Sequence, residues 1–543
     1  MKFAALPLIF LLATSAFAAT PPIITDTDLK HDTQVLSSDA FEGRLPGTPG
    51  GDKAVAYMIA RMKAVGLQPG NHGQWTQQVP FVTITADPKL TLDVTGGKTP
   101  LSFAQKTDVV LWTKRQLDRV TVAPSDIVFV GYGINAPERG WNDYAGVDVR
   151  GKTVVILIND PDWRTPTETG PFDGRRMTYY GRWTYKYEEA ARQGAAAAII
   201  IHDTEPAAYP FGVVVNSNGG AKIALDTPDK GMSRAAVEGW ITLPAAQRLF
   251  AAAGKDLTAL SKAAEVKGFT PIPLGVKAST SFTNTIVHSM SQNVVGILPG
   301  NKRPGEVVLY TAHWDHLGRC PADATGDDIC NGALDNASGS AGLLTLAETF
   351  VKAPRTARSV LFLSVTGEEQ GLLGSEYYAE NPIYPVGKTV GGINMDGLNV
   401  IGRSRDVVIV GAGKSELEPL FIAVAKTQGR TVSPEDSPEK GYYYRSDHFS
   451  MAHVGVPMLD VSSGNDIIGK PKGYGKAAAD DYTANRYHKP GDNYDPKWDW
   501  SGAIEDLQAY YLVGRDLADS DAWPNWYPSA EFRAVRDASR KGD

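Results

Sequence analysis

Apolar runs that end in polar, metal-type residues mark the second half of the chain. Three runs have the length of buried strands, at positions 307–312, 359–366 and 391–395. Segments with the 3.6-residue spacing of apolar helix faces, such as 336–350, alternate with these runs. The alternation predicts an α/β fold with a mostly parallel central sheet flanked by helices.

The residues that follow these runs carry the candidate chemistry. His313 ends the first run, Glu368 and Glu369 follow the second, and Asp396 follows the third. Ligands of open α/β sheets bind beyond the carboxyl ends of the strands. We therefore expect these side chains to meet in one crevice.

The pattern differs between residues 118 and 285. Short β-like runs alternate there with Gly- and Pro-rich turns and with two helical segments, the second at 244–253. This block has no dense group of ligand-type side chains. It is predicted to be an inserted, β-rich α/β domain (118–285) within a discontinuous catalytic domain formed by 19–117 and 286–543.

The first 18 residues combine one lysine, a short apolar run and a small-residue ending at Ala18. This pattern is typical of a cleaved signal peptide. We expect an exported protein, periplasmic or secreted, whose mature chain has no membrane span. Cys320 and Cys330, ten residues apart, are then expected to form a disulfide.

Composition narrows the function class. Of the 543 residues, 42% are hydrophobic and 21% are charged, which is enough apolar material for a large core. The formal net charge of −7 argues against an extended nucleic-acid surface. No nucleic-acid partner is therefore expected.

The candidate ligands form a nitrogen and oxygen set, which suits Zn²⁺. The set consists of His313, Asp335, Glu369, Asp396 and His488. Asp335 precedes a helix, and its carboxylate is suited to bridge two metals. Glu368 and Glu369 are neighbours whose side chains point apart, so one can bind metal while the other acts as a base.

Four further residues are expected to have other roles. Asp315, two residues after His313, shares its strand face and could orient the imidazole. His316 and His453 are predicted to be structural. Arg445 could bind a substrate carboxylate or form a surface ion pair. The chain has no HExxH and no GxSxG motif, which disfavours a zincin or an elbow-type serine hydrolase.

Several motifs resemble those of one family. The segments AHWDHLG, ALDNASG, TGEEQGLLGS, INMDG and YHKPGDN are similar to those of the co-catalytic zinc exopeptidases. That family includes bacterial leucyl aminopeptidases and, more distantly, glutamate carboxypeptidase II. The resemblance implies a phosphorylase/hydrolase-like zinc-exopeptidase fold, and the middle block resembles the protease-associated domain that many members carry.

The resemblance also implies roles. One Zn²⁺ would lie on His313 and Asp396 and a second on Glu369 and His488, with Asp335 between them. Glu368 would be the general base and Asp315 would orient His313. Tyr443 matches the oxyanion-stabilising tyrosine of aminopeptidase members, whereas the carboxypeptidase branch uses the position of Tyr487.

The function expected is therefore an exported zinc-dependent aminopeptidase, which hydrolyses N-terminal residues through a metal-bound hydroxide. An acidic site favours a terminal ammonium, whereas a terminal carboxylate needs Arg or Lys, and only Arg445 lies within a motif. A carboxypeptidase or dipeptidase on the same site is the alternative. From a different class, a catalytically inactive peptide-binding protein is the other alternative.

Overall fold

The computed structural model describes residues 22–541, so the predicted signal peptide lies outside the described residues. The strands are β1 (Gln68–Pro69), β2 (Thr76–Ala86), β3 (Thr91–Thr95), β4 (Leu101–Ala104), β5 (Val109–Trp112), β6 (Arg119–Phe129), β7 (Asn135–Ala136), β8 (Trp141–Asn142), β9 (Thr153–Leu157), β10 (Ala197–His202), β11 (Ala221–Leu225), β12 (Val237–Thr242), β13 (Ile272–Leu298), β14 (Arg303–His313), β15 (Gly318–Arg319), β16 (Ile329–Cys330), β17 (Arg358–Val365), β18 (Thr389–Asn394), β19 (Asp406–Ile409), β20 (Thr431–Ser433) and β21 (Met458–Ser463).

Helices connect most of these strands. They are α1 (Asp26–Leu36), α2 (Pro49–Val65), α3 (Trp183–Arg192), α4 (Thr204–Ala207), α5 (Phe211–Asn218), α6 (Leu243–Ala252), α7 (Leu257–Ala264), α8 (Gly339–Lys352), α9 (Leu373–Glu380), α10 (Leu417–Thr427), α11 (His448–His453), α12 (Tyr474–Asn485), α13 (Ser501–Asp519) and α14 (Arg533–Lys541).

The sheet of the second half of the chain, from β13 onward, is mixed, with a parallel centre. β14 pairs in parallel with β17 on one side and with β18 on the other, and β18 continues in parallel to β21. β13 and β19 pair antiparallel at the two flanks. The predicted α/β fold with a mostly parallel central sheet is confirmed.

Both faces of this sheet are covered. Val308 and Tyr310 of β14 pack into a core with α2, α8 and α13, whereas Val307 and Leu309 pack against α9 and α11 on the opposite face. Strands buried on both faces have no solvated side, which explains their continuous apolar runs. The sheet is therefore a rigid platform for the loops at its strand ends.

The inserted block has its own parallel sheet. β6, β9, β10 and β12 pair in parallel, and β5 closes one side antiparallel to β12. The long strand β13 joins the two halves, because its first part pairs with β6 and its last part pairs with β17. Residues of β3 to β5, which precede position 118, also pack in the core of the insert.

Particular residues fix two helix ends and one loop. Gly66 ends α2 in the left-handed conformation with φ 96°, where a glycine is favoured. Before α10, Glu418 accepts a hydrogen bond from the backbone N–H of Ser415 at 3.0 Å, which is one of the two bonds of a capping box. Cys320 and Cys330 form the expected disulfide.

Within residues 22–541, no helix has the length and apolar character needed to cross a membrane. The division into domains and the likeness of the insert to a protease-associated domain stay predictions.

A candidate metal centre at the strand ends

The predicted ligands lie where parallel strands end. β14 ends at His313, while Glu369 follows β17 and Asp396 follows β18 within a few residues. Asp335 lies in the irregular turn Ala333–Ser338 before α8. His488 comes from the turn after α12 and has a positive φ of 59°. Ligands from five separate segments thus meet at one edge of the sheet.

The carboxylate of Asp335 lies between two groups of ligand atoms. Its Oδ1 is 3.4 Å from Nε2 of His313, which is itself 3.2 Å from Oδ1 of Asp396. Its Oδ2 is 3.3 Å from Nε2 of His488, which is 3.0 Å from Oε2 of Glu369. Asp335 therefore presents one oxygen to each histidine, as a bridging carboxylate would.

His316 joins this cluster, although the sequence predicted a structural role for it. Its Nδ1 is 2.5 Å from Oε1 of Glu369, and its ring lies edge-on to that of His488 at 5.7 Å. His316 is fully buried. Ligand atoms of His316, Asp335 and Glu369 lie within 4.8 Å of one another. Its position inside AHWDHLG was the signal that could have revealed it.

Glu368 and Glu369 have different surroundings. Both oxygens of Glu369 face a histidine, Oε1 that of His316 and Oε2 that of His488. The side chain of Glu368 makes no hydrogen bond or ion pair to any residue of the described chain, and its backbone N–H donates to Oδ1 of Asp315 at 3.3 Å. The carboxylate of Glu369 is therefore bound to histidines, whereas that of Glu368 is free.

Asp315 meets His313 mainly through its backbone. Nδ1 of His313 lies 3.2 Å from the carbonyl oxygen of Asp315 and 3.9 Å from its carboxylate. A hydrogen bond from Nδ1–H to this carbonyl would leave Nε2 free to face Asp335 and Asp396. The carboxylate of Asp315 instead fixes the backbone at Glu368.

The charges of the cluster shift several pKa values. Although burial disfavours the cation, Asp396 and Asp335 raise the pKa of His313 well above its usual range. Burial lowers the pKa of His488, but Asp335 and Glu369 outweigh this effect and raise the pKa to about 10. Burial and the charges of Asp396 and Glu369 raise the pKa of Glu368. Each shift reflects negative charge concentrated in a buried cleft.

The two candidate tyrosines lie in different places. Tyr443 is buried, and its hydroxyl donates to the carbonyl of Met458 at 3.4 Å, so the structure does not bring this hydroxyl to the ligand cluster. Tyr487 stacks on the ring of His488 at 3.8 Å and is 44% exposed. Partial desolvation and the carboxylates of Asp335 and Glu369 raise the pKa of Tyr487. The ring of Tyr487 thus lies beside the cluster.

The remaining predicted residues are placed as follows. Arg445 lies over the ring of Tyr442, 5.3 Å from its centroid, and forms no surface ion pair with a described residue. His453 stacks on Phe449 with ring centroids 5.7 Å apart, in agreement with a structural role.

Two residues that the sequence reasoning missed hold the ligand loops. Asp492 accepts hydrogen bonds from the backbone N–H groups of Leu334 and Asp335 at 3.0 and 3.1 Å. Arg44 is completely buried and donates to four backbone carbonyls. These belong to Leu36, Trp314, Asn331 and Gly332, at 2.6 to 2.9 Å. Asp492 stands in YHKPGDN, whereas no local signal marked Arg44.

The residues present fit divalent metal ions. Nδ1 and Nε2 of His316, Nε2 of His488 and Oε1 of Glu369 are buried without a satisfied hydrogen bond among the described residues. Buried polar atoms are normally satisfied, and a cluster of imidazoles and carboxylates that lacks such bonds is typical of a metal site. Two overlapping groups share Asp335: His313 with Asp396, and His316 with Glu369.

Part of the chain is similar to known proteins. Residues 293–512 match the family model "Peptidase family M28". Relatives include a probable zinc metalloprotease of Leptosphaeria maculans, 29% identical over 213 residues, which are 37% of this chain and 47% of that protein. Aminopeptidase YwaD of Bacillus subtilis is 31% identical over 106 residues, 19% of this chain and 21% of that protein.

The alignments with these curated relatives span less than half of each relative's length. Among solved structures, an aminopeptidase from Aneurinibacillus sp. strain AM-1 aligns with a TM-score of 0.48 at 20% identity. That alignment covers 91% of this chain and 94% of the other.

Arg44→Met tests whether the ligand loops depend on the buried guanidinium. The substitution leaves four buried carbonyls without their donors, so we expect the free energy of unfolding to fall by about 3 kcal/mol or more. Metal affinity should fall with it, because the loops of Trp314 and Gly332 carry ligands. Denaturant unfolding and metal titration measure the two effects.

Arg319→Met is the control, since Arg319 forms an exposed pair with Asp328 that contributes about 1 kcal/mol or less. Equal stability of the two variants would contradict the role of Arg44.

Proposed function

We propose that this protein is an exported di-zinc aminopeptidase that removes N-terminal residues from peptides. The observation that carries the proposal is the shared carboxylate of Asp335, which faces His313 with one oxygen and His488 with the other. A single metal would need only one of these groups. The match of residues 293–512 to the model of peptidase family M28 supports the peptidase part of the proposal.

The ligands divide between two ions. His313 and Asp396 would hold one, Glu369 and His488 the other, and Asp335 would contact both. When bound, such a pair of ions acts as a Lewis acid toward the scissile carbonyl and lowers the pKa of water.

Glu368 is the proposed general base. Its carboxylate is free, whereas that of Glu369 is engaged with His316 and His488. A free carboxylate in this place can take a proton from the attacking water on one oxygen and pass it to the leaving amine. The hydrogen bond from the backbone N–H of Glu368 to Asp315 fixes where this carboxylate stands.

Tyr487 is the better candidate for the oxyanion-stabilising donor. Its ring stacks on His488, next to the ligand cluster, whereas the hydroxyl of Tyr443 is bonded to a backbone carbonyl. A phenol can donate a hydrogen bond to the oxygen that becomes negative as the carbonyl is attacked.

The acidic cluster supports attack at the amino end of the substrate. Carboxylates favour a terminal ammonium, and a neutral amine can also bind a metal directly. A dipeptidase or carboxypeptidase remains the second candidate, because the guanidinium of Arg445 has no carboxylate partner among the described residues. Export is supported by the sequence of residues 1–18 and by the disulfide, which persists in oxidising compartments.

Metal content tests the dinuclear site. Protein purified without chelator should contain two zinc ions per chain by elemental analysis. Chelation should lower the melting temperature, because metal bound to the folded state stabilises it. One tightly bound metal together with full activity would contradict the dinuclear proposal.

Substitutions of the glutamate pair separate base from ligand. Glu368→Gln should keep both metals and lose roughly 10²–10⁴ in kcat, the range for general acid–base catalysis. Glu369→Gln should lower the metal content instead. The control is Glu380→Gln, at the exposed end of α9. If the two phenotypes were exchanged, the assigned roles would be reversed.

Blocking the amino terminus tests the direction of attack. Acetylation of a good peptide substrate removes the charged or metal-binding amine, so we expect hydrolysis to be abolished. The measurement is release of the first residue from paired free and acetylated peptides by the zinc-loaded protein. Efficient cleavage of the acetylated peptide at its carboxyl end would favour the carboxypeptidase alternative.

A further inference from the structure

His316 is a buried histidine to which the proposed assignment of zinc ligands gives no role. Its exposed fraction is 0%, and neither ring nitrogen forms a hydrogen bond with any residue between 22 and 541. Buried polar atoms are normally satisfied, and a histidine with a structural role in a protein core bonds at least one of its two nitrogens. A structural role therefore leaves this side chain unexplained.

The ring of His316 lies beside the carboxylate of Glu369. Nδ1 of His316 is 2.5 Å from Oε1 of Glu369, and yet both atoms are without a hydrogen-bond partner in the described chain. The distance would allow a hydrogen bond, so it is the direction of Nδ1 in the plane of the ring that misses the oxygen. Two ligand atoms that lie side by side without pointing at each other are suited to bind one ion together.

His488 faces the other oxygen of Glu369. Its Nε2 is 3.0 Å from Oε2 of Glu369 and 3.3 Å from Oδ2 of Asp335, and this nitrogen is likewise buried without a hydrogen bond to a described residue. The rings of His316 and His488 are 5.7 Å apart. Two imidazoles and two carboxylates thus meet here, and zinc binds both kinds of ligand.

The backbone around His316 keeps its ring in this place. The backbone N–H of His316 donates to the carbonyl of Arg44 at 3.4 Å. The ring packs against Gly332, where a Cβ atom would lie 2.5 Å from Cγ of His316 and 2.6 Å from Cδ2. Arg44 in turn holds the carbonyl of Gly332 at 2.9 Å. This packing leaves the ring little room to turn away from Glu369.

We propose that His316 is a sixth protein ligand of the metal centre. It would complete a group of four ligands, called here the closed site, which consists of His316, Asp335, Glu369 and His488. The open site is then the group of three that consists of His313, Asp335 and Asp396. The inference rests on the proposed di-zinc function, because it gives the two ions different numbers of protein ligands.

The two sites would differ in their roles. Structural zinc sites have four protein ligands, whereas catalytic sites have three and leave one position for water or substrate. The ion of the closed site would therefore mainly stabilise the fold, because its protein ligands leave no position free. The open site would be the one at which a substrate can reach an ion directly.

Zinc-edge X-ray absorption tests the ligand role of His316 without reference to activity. Together with the zinc content of the same sample, it gives the number of imidazoles on zinc per chain. We expect three in the zinc-loaded full-length protein, whereas the five-ligand assignment gives two. His316→Asn should reduce the number to two.

The matched control is His202→Asn. His202 is also buried, at 3% exposure, but its Nε2 lies 3.1 Å from the carbonyl oxygen of Tyr209, far from the ligands in the chain. This variant removes a buried imidazole of the insert, so three imidazoles should stay on zinc.

Competition with a chelator measures how tightly the zinc ions are held. Residues that only support a ligand typically contribute about 10–100-fold to metal affinity, so loss of a direct ligand should cost more. We expect His316→Asn to weaken the more tightly bound ion by more than about 100-fold. His202→Asn should leave this affinity unchanged.

Stepwise removal of zinc separates the roles of the two sites. The first ion removed from the wild type should come from the open site, with loss of peptidase activity and little change in melting temperature. Removal of the second ion should lower the melting temperature, because bound metal stabilises the folded state. A fall in melting temperature with the first ion and unchanged activity would contradict the division into closed and open sites.

A second variant keeps the test decisive if His316→Asn does not fold. The side chain of His488 is 36% exposed, so His488→Asn can be accommodated at the surface. It should retain two imidazoles on zinc per chain if His316 is a ligand, and one if it is not.

The outcomes for His316 and for the proposed function can be told apart. Two zinc ions with two imidazoles per chain, unchanged in His316→Asn, would overturn the inference. So would a loss of affinity of about 100-fold or less in that variant, which would make His316 a support of Glu369. One zinc with two imidazoles, of which His316→Asn removes one, would support the ligand role and refute only the dinuclear proposal. Failure to cleave peptides would refute the peptidase function and leave the imidazole count valid.

Discussion

Repulsion between buried carboxylates is the constraint on which this structure depends. Asp335, Glu369 and Asp396 lie within a few ångströms of the same histidines, with Glu368 and Asp315 beside them. Two like charges 4 Å apart repel by about 4 kcal/mol at an effective dielectric constant of 20. The folded chain therefore needs positive charge at this edge of the sheet. Its own cations there are Arg44 and the histidines, which take up protons as the raised pKa values of His313 and His488 indicate.

Metal ions would supply that charge more fully than protonated imidazoles. Binding requires the histidines to be neutral, so metal uptake would release protons and be coupled to folding. The sheet that carries these side chains is rigid. β17, β14 and β18 are buried on both faces, and Arg44 and Asp492 hold the loops that carry Trp314 and Asp335 through backbone hydrogen bonds. The acidic ligands are thus kept together by groups that are not themselves ligands.

Much of the fold and of the candidate site could be predicted from the sequence, because these features depend on residues that are close together in the chain. Apolar runs that stop at His313 and Asp396 predicted the strand ends, the parallel sheet and the side chains that meet at its edge, and the spacing of Cys320 and Cys330 predicted the disulfide. Other features depend on contacts between distant segments. Arg44 reaches carbonyls almost 290 residues away. The choice between Tyr443 and Tyr487 depends on the fold, which bonds the hydroxyl of Tyr443 to a backbone carbonyl and stacks the ring of Tyr487 on that of His488. His316 was predicted to be structural, and only the fold brings its ring to Glu369.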